Sequence, residues 1–331
     1  MGWWSRPEQQ RPRDEMGLAP NWDAGRARCE SYQGGPTPHT LFRGSRGPCI
    51  LPQPGIDCRR PIPGYSAPVS TPLRYRTSLL AGWFADRKIP RFLRAPIYKT
   101  YAKITGADLT EARGPLHIYP SLGQYFVREL LPGLRPIDPN PSNLVCPVDG
   151  TVQDISRIEK GTILQAKGHP YAVKDLLGGV EGDLDLEGGH AWTVYLGPKD
   201  YHRIHSPCAG KLTHARWIPG SRYSVQPSVL ARRQVLAINE RCPLRIETPS
   251  GPLFMVLVGA VIVGRIRVVG LPPNGDRIVD PPRPIEAGQE LARFEMGSTI
   301  VLVAPPGGPT PLDSLEPGQT LRLGEVIGHF A

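Results

Sequence analysis

Apolar and polar positions divide this chain into three textures. Residues 1–75 have no apolar periodicity and are dense in Pro, Gly and Arg, as in Gln10-Arg11-Pro12-Arg13 and Leu51-Pro52-Gln53-Pro54-Gly55. Such a segment buries too little apolar surface to offset its chain entropy, so a disordered basic tail is expected over 1–75. Residues 76–138 change character. Leu79, Leu80, Trp83, Phe84, Ile89, Phe92, Leu93, Ile97, Tyr98 and Tyr101 interleave with Arg87, Lys88, Arg91, Arg94, Lys99 and Lys103. That is the pattern of short basic amphipathic helices, broken at Pro90 and Pro96. A further helix is expected within 107–138, capped by Asp108 or Thr110 and carrying Tyr119, Leu122, Tyr125, Phe126, Leu130 and Leu131 on one side.

From residue 139 onward the texture is β. Short apolar runs recur between Gly, Pro and Asp: Val145 to Ile155, Thr162 to Ala166, Ala191 to Leu196, Gly210 to Ile218, Val235 to Ile238, Leu244 to Thr248, Leu253 to Val263, Ile266 to Val269 and Thr299 to Val303. Short strands with frequent turns point to a compact sandwich or barrel. The fold class expected is therefore α+β: N-terminal amphipathic helices followed by a β-rich domain over 139–331 resembling a barrel-sandwich hybrid.

Composition narrows the function classes. The 331 residues carry a formal net charge of +9, so an anionic partner such as nucleic acid or an anionic membrane surface fits. Only 7% of residues are aromatic, and none form a ladder among the basic ones, which speaks against a single-strand nucleic-acid binder. The six cysteines contain no CxxC pair, which fits a reducing compartment better than a disulfide framework or a zinc site. The longest apolar run, Leu253 to Gly264, is far shorter than the roughly 20 residues a spanning helix needs. Trp3 and Trp4 are followed by Arg6, Pro7 and Glu8, so neither a secretion signal nor a myristoylation signal is expected.

Three stretches join a reactive side chain to a tight local frame. Asp149-Gly150 is a carboxylate beside a flexible residue, and equally the commonest hairpin turn pair. Asp200-Tyr201-His202-Arg203-Ile204-His205-Ser206-Pro207 holds two histidines three apart. They fit a general acid/base pair or structural histidines at a strand end; a metal site lacks a third ligand in a recognisable frame. Gly297-Ser298-Thr299 stands directly before the β-branched run Ile300 to Val303. A serine after a flexible glycine at a strand entrance can attack the preceding peptide carbonyl, and the same triplet suits a tight turn with a solvated serine. Asp, His and Ser are the ingredients of an orienting carboxylate, base and nucleophile.

These stretches, with Asn239-Glu240-Arg241, Val258-Gly259-Ala260-Val261-Ile262-Val263-Gly264 and Met296-Gly297-Ser298-Thr299, run in the order seen in phosphatidylserine decarboxylase proenzymes, which the chain resembles from about Leu79 to its end. Tyr125-Phe126-Val127-Arg128-Glu129-Leu130, Pro132-Gly133 and Pro136-Ile137-Asp138 belong to the same resemblance.

The resemblance implies a pyruvoyl-dependent carboxy-lyase that cuts itself between Gly297 and Ser298 into chains 1–297 and 298–331, which stay together as a heterodimer. Ser298 is then nucleophile and cofactor precursor, His205 the base and Asp149 its orienting carboxylate. The pyruvoyl group made from Ser298 forms a Schiff base with phosphatidylserine and acts as electron sink, so that phosphatidylethanolamine and CO₂ leave; no metal is required. His202 is implied in decarboxylation or protonation. The substrate implies a peripheral protein on an anionic membrane, at the cytoplasmic face in a bacterium, with 76–138 as docking face. No nucleic-acid partner is expected, and further dimerisation of the heterodimer is left open. Met296 stands where the family usually has Leu, and Ala292 where many members have Gly. Arg203 and Arg265 are candidates for holding the substrate's phosphate or carboxylate. Two other readings remain: a pyruvoyl decarboxylase of a soluble amino acid, and a non-catalytic lipid-binding module of the same fold.

Overall fold

The computed structural model describes residues 82–165, 169–230, 232–260, 266–273, 275–295 and 298–330. All of these fall in one unit, Pro61–Ala331. The expected tail, residues 1–75, lies outside the described residues, as do 261–265 and the pair Met296 and Gly297.

Helices come first. Residues 82–86 are helical (α1), and α2 runs Arg91–Thr105 with Pro90 at its N-cap and Gly106 closing it in the left-handed region. Pro96 lies inside α2 and does not break it, contrary to the sequence pattern. Tertiary packing outweighs the lost backbone bond. Tyr98 is fully buried, its ring stacks on Tyr125 at 4.6 Å, and its hydroxyl donates to Tyr119 O. Between 107 and 138 the expected helix is reduced to one 3-10 turn, Leu116–Ile118, and the short α3, Leu122–Phe126. Gly114 at φ 83, Pro115 and Pro120 interrupt it. Its N-cap is Ser121, whose hydroxyl accepts from Gln124 N, while Asp108 closes a local turn by accepting from Thr110.

The rest is mainly strand. β1 (Asn143–Val145) is followed by β2 (Gly150–Arg157), the hairpin β3 (Thr162–Gln165) and β4 (His169–Ala172), and a short α4 (Val173–Leu177). β5 (His190–Leu196), β6 (Arg203–His205), β7 (Gly210–Arg216) and α5 (Pro227–Leu230) come next. β8 (Arg241–Thr248), β9 (Gly251–Gly259), β10 (Ile266–Val268), β11 (Asp276–Ile285) and β12 (Glu290–Phe294) lead to β13 (Ser298–Ala304). β14 (Thr310–Pro311), β15 (Thr320–Leu321) and β16 (Val326–His329) end the chain.

An eight-stranded sheet, order β11-β7-β8-β9-β13-β5-β2-β15, carries the molecule; three-stranded sheets β10-β12-β6 and β1-β16-β14 and the β3-β4 hairpin complete it. The α+β class holds, but the expected barrel does not form. Strand order in the large sheet is linear, with β11 and β15 as edges. β11 was not foreseen because Pro281, Pro282 and Pro284 disguise it. An edge strand is where prolines cost no ladder bond. The apolar run Val235 to Ile238 is buried or half-buried in the core but forms a turn rather than a strand.

β13 sits in the middle, paired antiparallel with β5 on one side and β9 on the other. Side chains alternate across a sheet. Ile300 and Leu302 join one core, with Ile204, Ile266, Ala292 and Phe294 of the small sheet, and Val301 and Val303 join a second core with Phe254, Val256 and Val258. The β-branched run is thus buried on both faces, as its continuous apolar character implied. The small sheet β10-β12-β6 covers the first face.

Candidate active site

Ser298 is the first residue of β13, opposite Leu196 of β5 and Gly259 of β9. It shares the parity of Ile300 and Leu302, so its side chain leaves the strand toward the layer that contains β6 and β12. Ser298 and Thr299 are fully buried, and both hydroxyls lack a hydrogen-bond partner. A solvated turn serine is therefore excluded. A buried hydroxyl without a partner costs on the order of 1–3 kcal/mol, a cost typical of sites kept for chemistry.

His202 is also fully buried. Its Nδ1 donates to Asp200 O at 2.8 Å, since a carbonyl only accepts, and its ring lies 3.9 Å from that of Phe126. That leaves Nε2 as a lone pair, buried and unpartnered. Burial holds the imidazole neutral by drawing its pKa down to about 3, against the Asp200 bond that favours the charged form. The His202 carbonyl accepts from Phe294 N, four residues before Ser298, and six residues separate His202 from Leu196, the strand partner of Ser298. Both strands that flank the Gly297–Ser298 junction are therefore tied to the segment bearing His202.

His205 ends β6. Its Nδ1 donates to Gly288 O at 2.7 Å, and its Nε2 accepts from the Tyr201 hydroxyl at 3.2 Å. Gly288, at φ 75, turns the β11–β12 connection so that its carbonyl meets the ring. Burial lowers the His205 pKa from the ordinary imidazole value, opposed by the Gly288 bond and the Glu290 and Asp149 charges.

Asp149 is buried at the start of β2 and makes no hydrogen bond to either histidine. Its carboxylate accepts from Arg135 Nε at 2.9 Å, from Arg135 Nη2 at 2.6 Å and from Leu323 N at 2.9 Å. Arg135 also donates to Glu111 Oε2 at 2.9 Å. Asp149 reaches His205 through its charge and through the backbone, where His205 N donates to Pro147 O. Gly150 is not a hairpin turn residue. A Cβ there would lie 2.5 Å from Tyr195 O, so glycine is what lets β2 pack on β5 beside Asp149.

Arg203 is already satisfied: it donates to Val127 O, Glu129 and Glu290. Its role is to tie β6 to β12 and to the Val127–Glu129 stretch, which leaves little for a ligand. Arg265 lies outside the described residues. Sequence reasoning did not identify Arg135, Tyr201, Gly288 or Leu323. Tyr201 lies inside a quoted motif and Arg135 adjoins one, whereas Gly288 and Leu323 contribute only backbone atoms and carry no side-chain signal. Among the described residues no three His, Cys, Asp or Glu side chains converge as a metal site, and no helix is long and apolar enough to cross a membrane.

Residues 122–329 match the family model of phosphatidylserine decarboxylase. The chain is 41% identical over 255 residues to a phosphatidylserine decarboxylase proenzyme of Anaeromyxobacter sp. (strain K), covering 74% of this chain and 90% of the relative. The proenzyme of Myxococcus xanthus is 38% identical over 260 residues (76% and 92%), and that of Idiomarina loihiensis 40% over 267 residues (76% and 88%). Most of the length of each relative is thus represented here, the family match spans Asp149, His202, His205 and Ser298 of this chain, and the chain, a carboxy-lyase, belongs to the phosphatidylserine decarboxylase family.

Proposed function

We propose that this chain cuts its own Gly297–Ser298 bond and then decarboxylates phosphatidylserine to phosphatidylethanolamine at a membrane surface. The carrying observation is the Ser298 hydroxyl, buried without a partner at the entrance of a strand that is itself locked between two neighbours. A rigid strand that follows a glycine, the residue type with the widest choice of backbone conformations, favours attack by the hydroxyl on the preceding carbonyl.

In this reading the Ser298 Oγ–H proton passes to His205 Nε2, directly or through the Tyr201 hydroxyl already bonded there. Nε2 is the basic nitrogen because Nδ1–H is committed to Gly288 O. The proton then goes to the Ser298 nitrogen as the C–N bond breaks, and Gly297 is left in ester linkage to Oγ. Loss of the Ser298 α-proton expels the Gly297 carboxylate, and hydrolysis of the resulting enamine releases ammonia. Asp149, pinned by Arg135 and Leu323 N, supplies a fixed negative charge that favours the imidazolium formed in the first step.

The residues around Ser298 fit a pyruvoyl group. The Ser298 hydroxyl leaves β13 toward the layer that holds β6 and β12, and the segment bearing His202, with its unpartnered acceptor Nε2, is bonded to β12 through Phe294 N, while Thr299 turns to the other face. Bound there, the group supplies an electron sink for decarboxylation. His202, kept neutral by burial, has a lone pair at Nε2 that would take a proton from the incoming substrate ammonium and return it to the reacting carbon after CO₂ leaves, and the Phe126 ring packed at 3.9 Å shields it from water.

The helical residues support a membrane surface. Phe92 and Ile104 on α2 are almost four-fifths exposed, and Trp83 and Phe84 are also exposed, among Arg87, Lys88 and Arg91. An apolar set ringed by cations suits anionic lipid.

Intact-mass measurement of the purified protein tests the proposal. Two chains are expected, 1–297 and 298–331, the shorter blocked by a keto group and unable to be sequenced from its N-terminus. Liposomal phosphatidylserine should release CO₂. Ser298→Ala should yield one uncut, inactive chain; a single intact chain with full activity would refute the mechanism.

A further inference from the structure

Arg128 is the unexplained cation of the site. It follows α3 and is 2% exposed, yet its Nε–H and one Nη1 edge have no hydrogen-bond partner. Its polar and ring contacts are Nη2–H to Lys199 O at 3.3 Å and the face of Tyr125, 5.0 Å from its guanidinium carbon. A buried guanidinium edge without an acceptor is costly, more so than a neutral group. Nearby carboxylates do not relieve it. Glu129 is engaged with Arg113 and Arg203, and Glu295 lies 3.7 Å from Arg267.

Arg128 lines a cavity of about 710 Å³ together with Arg113, Arg203, Arg293, Glu129 and Glu295. Arg113 and Arg203 pair with Glu129, and Arg203 and Arg293 with Glu290, which leaves Arg128 as the lining arginine with no carboxylate bonded to it among the described residues. The cavity adjoins the reacting stretch: Arg293 belongs to β12, and Glu295 is three residues before Ser298. Two residues before Arg128, Phe126 packs on His202. Ile118, half exposed, and Val127 add an apolar side, as an amphiphile with an anionic head requires. Planar N–H edges match the two oxygens of a carboxylate or phosphate.

We propose that Arg128 anchors an oxyanion of the substrate head group in this cavity, holding the amine end toward Ser298. This rests on the proposed phosphatidylserine reaction. The phosphate and the serine carboxylate share the chemistry required, and both are within one head group.

Binding is read on the Ser298→Ala chain, which keeps the site uncut, by calorimetry with glycerophosphoserine, inorganic phosphate and glycerophosphoethanolamine. Glycerophosphoserine should bind, and Arg128→Gln should weaken it about tenfold or more, the scale of a lost charged hydrogen bond. If phosphate and glycerophosphoethanolamine bind with the same dependence on Arg128, the phosphate is the anchored group; if only glycerophosphoserine does, it is the carboxylate. In the mature enzyme Arg128→Lys, which keeps the charge and stem but loses the planar edge, should raise KM for micellar phosphatidylserine far more than it lowers kcat. The Lys variant decides the matter if the Gln variant does not fold. Glycerophosphoserine binding that is absent, or unchanged in the Arg128 variants, overturns the subsite. Wild-type protein that never decarboxylates phosphatidylserine overturns the reaction instead, and the calorimetry still decides whether Arg128 holds an oxyanion.

Discussion

Replacing Arg135 by Met tests what holds Asp149 in place. Arg135 is 7% exposed and Asp149 9% at the side chain, so the pair is shielded from solvent and from salt. Burial alone disfavours the guanidinium charge; the bonds to Asp149 and Glu111 outweigh that and raise its pKa. Removing one member of a buried pair strands the other, at about 3–5 kcal/mol. Two features pull the figure toward the lower end. Leu323 N still donates to Asp149, and Glu111, 19% exposed, can regain water. About 3 kcal/mol is therefore expected. Arg113→Gln is the control. It breaks an ion pair whose members are 63% and 44% exposed, and should cost less than about 1 kcal/mol. Urea unfolding of both variants in the Ser298→Ala chain, followed by tryptophan fluorescence, measures the difference as a midpoint shift at constant slope. Arg135→Met combined with Asp149→Asn should recover much of the loss, because the stranded charge is gone. In the Ser298 chain, Arg135→Met should slow cleavage as Asp149 is released. A loss as small as that of the Arg113 control, or a double variant as unstable as the sum of the two, would refute the account.

Three further outcomes follow from the same geometry. His202 has a folded pKa of about 3 against an ordinary 6.5, so the unfolded chain binds the extra proton between those values. Stability should be fully present above 6.5 and fall by up to ~1.4 kcal/mol per pH unit toward 3; His202→Phe should flatten that slope in acid unfolding curves, while the lowered pKa of His205 puts the acid limb of self-cleavage below pH 6.5. After cleavage the 298–331 chain should co-purify with 1–297 and separate only in denaturant, since Ile300, Val301, Leu302 and Val303 are each fully buried, at about 1.5–3 kcal/mol apiece; release on a native sizing column would contradict this. Phe92→Ser with Ile104→Ser should weaken sedimentation with anionic liposomes about tenfold or more without changing cleavage, as each removes one exposed apolar anchor; unchanged sedimentation would remove α2 from the docking face.

The legible parts of the sequence were those where one residue type has one physical use. The β-branched run after Ser298 is continuous, and only a strand buried on both faces accommodates that. Alternatives persisted where a residue has two uses. Asp149-Gly150 reads equally as a hairpin turn, and only the approach of Tyr195 O shows why glycine is needed. Pro96 reads as a helix breaker until Tyr98 is seen stacked on Tyr125. Pairing was the least legible property. The carboxylate of Asp149 is held by a residue 14 positions upstream and a backbone N–H 174 positions downstream, separations with no local signature. The histidines were visible, but not that His202 would be the one with an unsatisfied nitrogen and His205 the one with both nitrogens bonded.

The position of the proposed cut is itself a consequence of topology. β12 belongs to the three-stranded sheet, paired with β10 and β6, and β13 belongs to the eight-stranded sheet, paired with β5 and β9. Ser298 is the first residue of the β13 ladder, so a break on its N-terminal side falls at the end of that ladder. The pairings of residues 299–304 lie beyond it. The break also leaves the buried face of β13 against Phe294 and Ala292, whose own strand is held independently. Asp149 then joins the two products, because Arg135 belongs to 1–297 and Leu323 to 298–331. A chain that must break its backbone at its most buried strand, and stay folded, requires the break to fall where the sheets change.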